Sequence, residues 1–431
     1  MQTQTQTQTH GTQNLIAVED AREQVLSLVD VLDAEEVDAL GSLERILAQD
    51  VLSDIDIAPF DNSAMDGFAV LTKDFAGAQT PVQLKITEHI GAGDWPEHPI
   101  TAGTAMRIMT GAPMPEGADA VIKIEDTEII EGDGLIGSKV AFPVPPRKGD
   151  NIRKAGEEAK AGETVLNRGE RVTPAAVGLL ASTGHSTVKV YRRPRVAILS
   201  TGSELVEIAE KPARGKIRNS NSYSLAAQVL EAGGIPLRFP LIKDTYEATE
   251  EAILEAAQDA DFIITSGGVS VGDFDYVKPV LEKLGKMLFS AVNMRPGKPQ
   301  TLGVIPTTGK PAIPFFGLPG NPTSTFVGFE TFVRPALLKM QGATELLRPT
   351  CTAVLAHDVK KRQGRRYFLR GTVELQPDGT YAAHVEGSQS SALLTSAHRG
   401  NCFIVLPEGL DPAHKGQEVT CIRLDMKEGI A

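Results

Sequence analysis

The chain has 431 residues, 41% of them hydrophobic and 23% charged, a formal net charge of −12 and three cysteines. That length exceeds what one hydrophobic core usually serves, so several domains are expected. The acidic balance argues against a nucleic-acid or anionic-membrane surface. Cys351, Cys402 and Cys421 lack metal-ligand spacing, which fits buried thiols in a reducing, cytoplasmic compartment. No apolar run reaches membrane-spanning length and no secretory signal opens the chain, so direct membrane insertion is not expected.

The Gln/Thr repeat from Gln2 to Thr9 makes residues 1–14 a disordered tail. Ala21, Val25, Leu28, Val29 and Leu32 then fall at the spacing of an amphipathic helix, and Ser42 to Ala48 predicts a second, shorter one. Segments 15–50 and 146–190, the latter with a helix at Pro174 to Ala181, form a discontinuous N-terminal helical and linker domain. Residues 51–145 read as a small inserted β domain, because short alternating segments lie between Gly, Pro and Asp clusters. Three polar stretches stand out in this half of the chain: Pro59-Phe-Asp-Asn-Ser-Ala-Met-Asp-Gly-Phe-Ala-Val70, Arg107-Ile-Met-Thr-Gly-Ala-Pro113 and Arg153-Lys-Ala-Gly-Glu-Glu158. Taken singly, each is also what a polar turn or a solvated charge run looks like.

From 191 to 345 strand and helix alternate. Strands are predicted at Val196 to Ser200, Ile235 to Phe239, Phe262 to Thr265, Leu302 to Ile305 and Ile313 to Phe316. Helices are predicted at Ser222 to Ala232, Glu247 to Gln258, around Val277 to Leu284, and from Asn321 to about Met340. This alternation means a parallel sheet covered on both faces, a three-layer α/β/α domain, whose ligands bind at the carboxyl ends of the strands. The unusual loops all fall there: Thr201-Gly-Ser-Glu204, Asp244, Ser266 to Asp275, Arg295-Pro-Gly-Lys298 and Gly317-Leu-Pro-Gly-Asn-Pro322. Gly267, Gly268 and Gly272 permit backbone turns that aim N–H groups at an anion. Asp273 fits a helix cap, which leaves Asp275 beside the anion loop as a candidate ligand for a divalent cation such as Mg²⁺.

Residues 346–431 read as short strands of a C-terminal β-barrel or sandwich, with polar loops at Gln363-Gly-Arg-Arg366 and Gly387-Ser-Gln-Ser-Ser391. The fold class is therefore multidomain, α/β plus β. No phosphate-binding P-loop, dinucleotide fingerprint, His-Glu-x-x-His or Gly-x-Ser-x-Gly motif occurs.

Pro59 to Ala69, Arg107 to Pro113, Ser200 to Glu204, Ser266 to Tyr276, Arg295 to Pro299 and Gly317 to Pro322 stand in an order and spacing that resemble the molybdopterin molybdenumtransferase family. The resemblance spans nearly the whole chain and makes the 191–345 domain the pterin-binding one. It implies a transferase that takes adenylyl-molybdopterin and molybdate and, with Mg²⁺, gives molybdenum cofactor and AMP. It also implies site roles for particular residues. Glu204, Asp244 and Asp275 match acidic active-site positions, both catalytic and metal-holding. Ser266, Gly267, Gly268, Ser270, Arg295, Lys298, Gly320, Asn321, Arg365, Ser388 and Ser390 match substrate-binding ones. Asp66, as a catalytic residue, and Thr110, as a substrate-binding one, match positions supplied by the second subunit of a homodimer; Glu158, also substrate-binding, stands where an Asp is common. Two positions depart from the family pattern: Ala291 stands where some members carry a lysine, and Arg295 replaces a common lysine. The family also includes gephyrin, whose equivalent module is a dimeric scaffold. A second expectation is therefore a gephyrin-like scaffold that binds a peptide of a cytoskeletal, cell-division or receptor partner in the cleft beside the C-terminal β domain.

Overall fold

A computed structural model describes residues 15–269, 275–362, 364–410 and 412–429. Ser270 and the cap expected at Asp273 lie outside the described residues. The chain divides into two compact units, one holding the residues up to Glu35, Glu44–Ala48 and everything from Lys189 onward, the other Glu36–Leu43 and Gln49–Val188. Among the described residues no helix is long and apolar enough to cross a membrane.

The second unit is built on a six-stranded sheet in the order Ala120–Lys123, Gly67–Val70, Thr104–Ile108, Val82–Ile90, Lys139–Phe142, Glu128–Glu131. Alternation in Val82–Ile90 sends Leu84 and Ile86 inward to Phe68, Phe75 and Phe142, whose rings meet edge to face. Thr104–Ile108 runs parallel to Val82–Ile90, so Ile108 and Ile90 lie side by side and their outgoing loops share one end of the sheet. The helix predicted over Ser42 to Ala48 does not form. Glu44 takes a φ of 66°, Gly41 closes a turn on the Asp38 carboxylate, and Leu47 is extended in a bridge to Val190.

In the first unit a six-stranded sheet runs Ile235–Arg238, Arg195–Ser200, Phe262–Ser266, Ile313–Leu318, Pro299–Ile305, Lys286–Ala291. The first four strands are parallel, as the strand–helix alternation requires, while Pro299–Ile305 and Lys286–Ala291 extend the sheet in antiparallel pairing. Sequence pattern alone could not show this, because a buried antiparallel hairpin carries the same apolar runs as a parallel strand. The period of two splits Arg195–Ser200 between layers. Val196 and Ile198 pack with the helices Val18–Ser27, Ser220–Glu231 and the 322–340 helix, whereas Ala197 and Leu199 pack with Tyr246–Asp259 and Val277–Leu284. The 322–340 helix widens to a π turn over Phe329–Val333, just ahead of Pro335, which has no N–H to continue the ladder.

The C-terminal strands close into a five-stranded barrel: Thr350–Leu355 pairs with Tyr381–Val385 and Glu418–Arg423, and Cys402–Leu406 closes onto Arg366–Leu375. Closure leaves no free edge in the ring. Glu428, beyond the last strand, is buried and takes both ends of the Arg334 guanidinium at 2.6 and 3.0 Å, while Arg348 reaches Glu330 at 2.8 Å. Removing one member of such a buried pair leaves an uncompensated charge, so this network fixes the chain's end onto the long helix.

Candidate active site

Topology selects the crevice. The chain leaves Arg195–Ser200 for Ile235–Arg238 on one side and then crosses to Phe262–Ser266 on the other, so the loops after Ser200 and Ser266 diverge. In open α/β sheets ligands bind at that switch point, outside the carboxyl ends of the strands. A cavity of about 630 Å³ lies there, lined by Thr201 to Leu205, Ile217 to Asn221, Asp244, Ser266 to Val269, Asp275, Pro299, Pro319 to Pro322 and Ala392.

The sheet places each polar group. Gly267 and Gly268 take φ of 93° and 68°, which turns the backbone after Ser266 back over the strand end. The approach is close, because a Cβ on Gly267 would stand 2.8 Å from the Thr201 carbonyl oxygen and one on Gly268 2.6 Å from Val277 Cγ2. Glu204 is exposed, and Asp244 and Asp275 are half-buried. One Asp244 oxygen accepts the Ser203 N–H, fixing the carboxylate between two loops. Burial draws the Lys278 ammonium below its ordinary range, against the pull of Asp275. Asn221 donates through Nδ2 to Ser266 Oγ and to the Gly320 carbonyl, both at 2.8 Å, and so ties the loops after Ser266 and Leu318 together. Among the described residues its Oδ1 is buried with no partner, as are Ser200 Oγ and Thr265 Oγ1. Such orphaned polar atoms are uncommon in an interior, and Asn221 is itself a residue of the cavity lining.

The structure brings Glu204, Asp244, Ser266, Gly267, Gly268, Asp275, Gly320 and Asn321 to one cavity. Other predicted residues stand elsewhere. Arg295 is exposed and leans on Tyr367, with its Nη1 3.2 Å from the phenol oxygen; burial works to raise that phenol's pKa, but the Arg362 N–H and the cations Arg295 and Lys361 bring it below its ordinary value. Lys298 is half-buried just before Pro299 of the lining, and Ala291 is buried in its strand; neither lines the cavity. Arg365 is likewise half-buried outside it. The barrel's serine loop reaches the cavity through Ala392, not through Ser388 or Ser390, because Thr323 N–H donates to the Ser391 carbonyl at 2.9 Å and its hydroxyl to the Leu393 carbonyl at 2.9 Å. Arg370, fully buried and pushed down to about 10 by burial, anchors that loop by donating to the Ser390 carbonyl at 3.1 Å.

In the other unit Asp66 accepts from both the amide and the hydroxyl of Thr110 at 2.7 Å, and those bonds hold its carboxyl below the usual carboxylate range. Glu158 is exposed there. The sequence reading passed over Asn219 and Asn221. Their signal was legible: Asn219 caps the helix by accepting the Ser222 N–H, and Arg218-Asn-Ser-Asn221 is an unusually polar helix entry.

Among the described residues no three Asp, Glu, His or Cys side chains gather as a preformed metal cluster, so Glu204, Asp244 and Asp275 share the cavity without forming a cage. That donor set fits Mg²⁺ in its usual manner, held by one or two carboxylates together with ligand phosphates.

Comparison with known proteins agrees with this architecture. The sequence matches the MoeA N-terminal region (domain I and II) over residues 16–184, a probable molybdopterin binding domain over 197–339 and the MoeA C-terminal region (domain IV) over 352–424. A molybdopterin molybdenumtransferase of Bacillus subtilis is 39% identical over 96% of this chain and 95% of its own, and one of Nostoc is 38% identical over 95% and 94%. The crystal structure of the molybdopterin biosynthesis moeA protein from Pyrococcus horikoshii OT3 superposes with a TM-score of 0.79 at 30% identity, covering 95% of this chain and 99% of that one. With the switch-point cavity, the closed barrel and relatives matched end to end, the chain belongs to the MoeA family of molybdopterin molybdenumtransferases.

Proposed function

We propose that this chain inserts molybdenum from molybdate into adenylyl-molybdopterin, giving molybdenum cofactor and AMP. The observation that carries the reading is the switch-point cavity itself, which a glycine loop and three carboxylates line together. The amides around Gly267 and Gly268 hold the ligand's anionic groups, with Ser266, Gly320 and Asn321 around them. Asp275, Asp244 and Glu204 would between them offer the one or two carboxylates that Mg²⁺ takes beside ligand phosphates, and the ion would supply neutralisation of phosphate charge and polarisation of the phosphoanhydride. Arg295, Lys298, Arg365, Ser388 and Ser390 form the approach for the second anion, molybdate. Arg295 in place of lysine keeps that charge, and the buried Ala291 takes no part. The protein works in the cytoplasm.

The same reading makes the active species a homodimer in which Asp66, Thr110 and Glu158 of one copy complete the site of the other. Mixing Asp66→Ala with Asp275→Ala subunits should then restore about one working site per heterodimer, although each variant alone is inactive. Activity that stays at the level of the separate variants would sink the shared-site reading.

A second reading has its own observation. A cavity of about 260 Å³ in the first unit is walled by Val18, Phe368, Phe403, Val405, Ile422 and Leu424, with Arg22 and Arg348 at its margin. Arg348 is committed to Glu330 and Glu231, whereas burial lowers the Arg22 pKa against the pull of Glu19. This is the shape and charge for a short apolar peptide that brings a carboxylate, as in a gephyrin-like scaffold. A cytoplasmic partner captured by the wild-type chain should be lost on Phe403→Ala or Arg22→Glu while transferase activity persists; capture that survives both changes would exclude this cleft.

A further inference from the structure

Trp95 is the chain's one tryptophan, and it is 69% exposed. An isolated exposed aromatic needs no explanation, but this one is braced: the Phe60 ring meets it edge to face at 5.7 Å and 89°. Phe60 opens the stretch that carries Asp66. Backbone bonds gather three segments at this end of the sheet, with Met109 N–H on the Ile90 carbonyl at 3.0 Å, Gly111 N–H on Ser63 at 2.8 Å and Met114 N–H on Asp61 at 2.9 Å. The loop from Gly91 that bears Trp95 leaves the same end, closed by Gly91 N–H on the Asp94 carboxylate at 2.9 Å. The segments gathered at this end also carry the Lys154 ammonium, 2.7 Å from Asp61, and the Asp66–Thr110 pair. An exposed indole braced by a second ring, at the same end of a sheet as a cation, is the kind of surface on which proteins stack a flat heteroaromatic ring.

We infer that Trp95, braced by Phe60, is a stacking platform for a planar ring of the substrate, the adenine or the pterin, and so a binding residue that one subunit supplies to the site of the other. The inference rests on the reading that Asp66 completes a partner's site. As the chain's one tryptophan, Trp95 reports on itself. Intrinsic fluorescence of the full-length dimer, titrated separately with AMP and with molybdopterin lacking the nucleotide, should be quenched by the ligand whose ring stacks. Trp95→Ala should raise KM for adenylyl-molybdopterin about ten-fold with kcat nearly unchanged, and Trp95→Phe should return KM to within about two-fold of wild type. An unchanged KM in Trp95→Ala, or a dimer that dissociates in that variant, overturns the platform. Failure of the Asp66→Ala and Asp275→Ala mixture would instead overturn the shared site on which it rests.

Discussion

Asp275→Ala should lower molybdate-dependent AMP release by about two to three orders of magnitude while adenylyl-molybdopterin still binds. The Asp275 carboxylate lines the same cavity as Glu204 and Asp244 but is not part of the Gly267–Gly268 turn, so it can hold a cation without forming the loop that takes the ligand's anion. Removing it leaves two carboxylates, enough to attract Mg²⁺ but not to fix it where charge develops. Binding should persist because the amides proposed to take the anion are those around Gly267 and Gly268, which this substitution leaves in place. Equilibrium binding and single-turnover AMP release, measured on the same preparation, separate the two roles. Wild-type AMP release from this variant would make Asp275 structural.

The converse damage is expected at the loop. Gly267→Ala should weaken adenylyl-molybdopterin binding by about 100-fold or more, since it adds left-handed strain of about 1–3 kcal/mol and an overlap that the backbone must relieve. The residue has a φ of 93°, and its new Cβ would meet the Thr201 carbonyl oxygen at 2.8 Å, an atom of the neighbouring strand's outgoing loop that cannot rotate away. The loop must therefore shift, and with it every N–H aimed at the ligand. Gly309→Ala supplies the comparison. It has a φ of 74° with nothing within 4 Å of the new Cβ, so it should cost stability without touching affinity. Equal losses of affinity in the two variants would mean that the effect comes from general strain, not from the loop's geometry.

Much of this site could be read from the chain because its parts are strand-end loops. Apolar runs of the right length predict the strands Arg195–Ser200, Phe262–Ser266 and Ile313–Leu318, and the residues after each run fall at the sheet's carboxyl edge whatever the tertiary detail. Glu204, Asp244, Asp275 and Asn321 were legible for that reason. What escaped depends on contacts remote in sequence. The direction of Pro299–Ile305 is set by pairing on both its sides, and the orientation of the serine loop is set by Thr323 pinning the Ser391 carbonyl. Arg295 is adjacent to the cavity in sequence but is drawn to Tyr367 of the barrel. The short helix expected over Ser42 to Ala48 failed because turn geometry at Gly41 and Glu44 and the Leu47 bridge outweigh a weak local propensity.

The central claim is that the switch-point cavity couples molybdate to cleavage of the adenylylated pterin. Its most direct test is AMP release from adenylyl-molybdopterin by the purified full-length chain, with Mg²⁺ and with or without molybdate, followed by addition of the product to an extract whose molybdoenzymes lack cofactor. AMP release should depend on molybdate, and the product should restore molybdoenzyme activity. AMP release indifferent to molybdate, or a product that restores nothing, would contradict it.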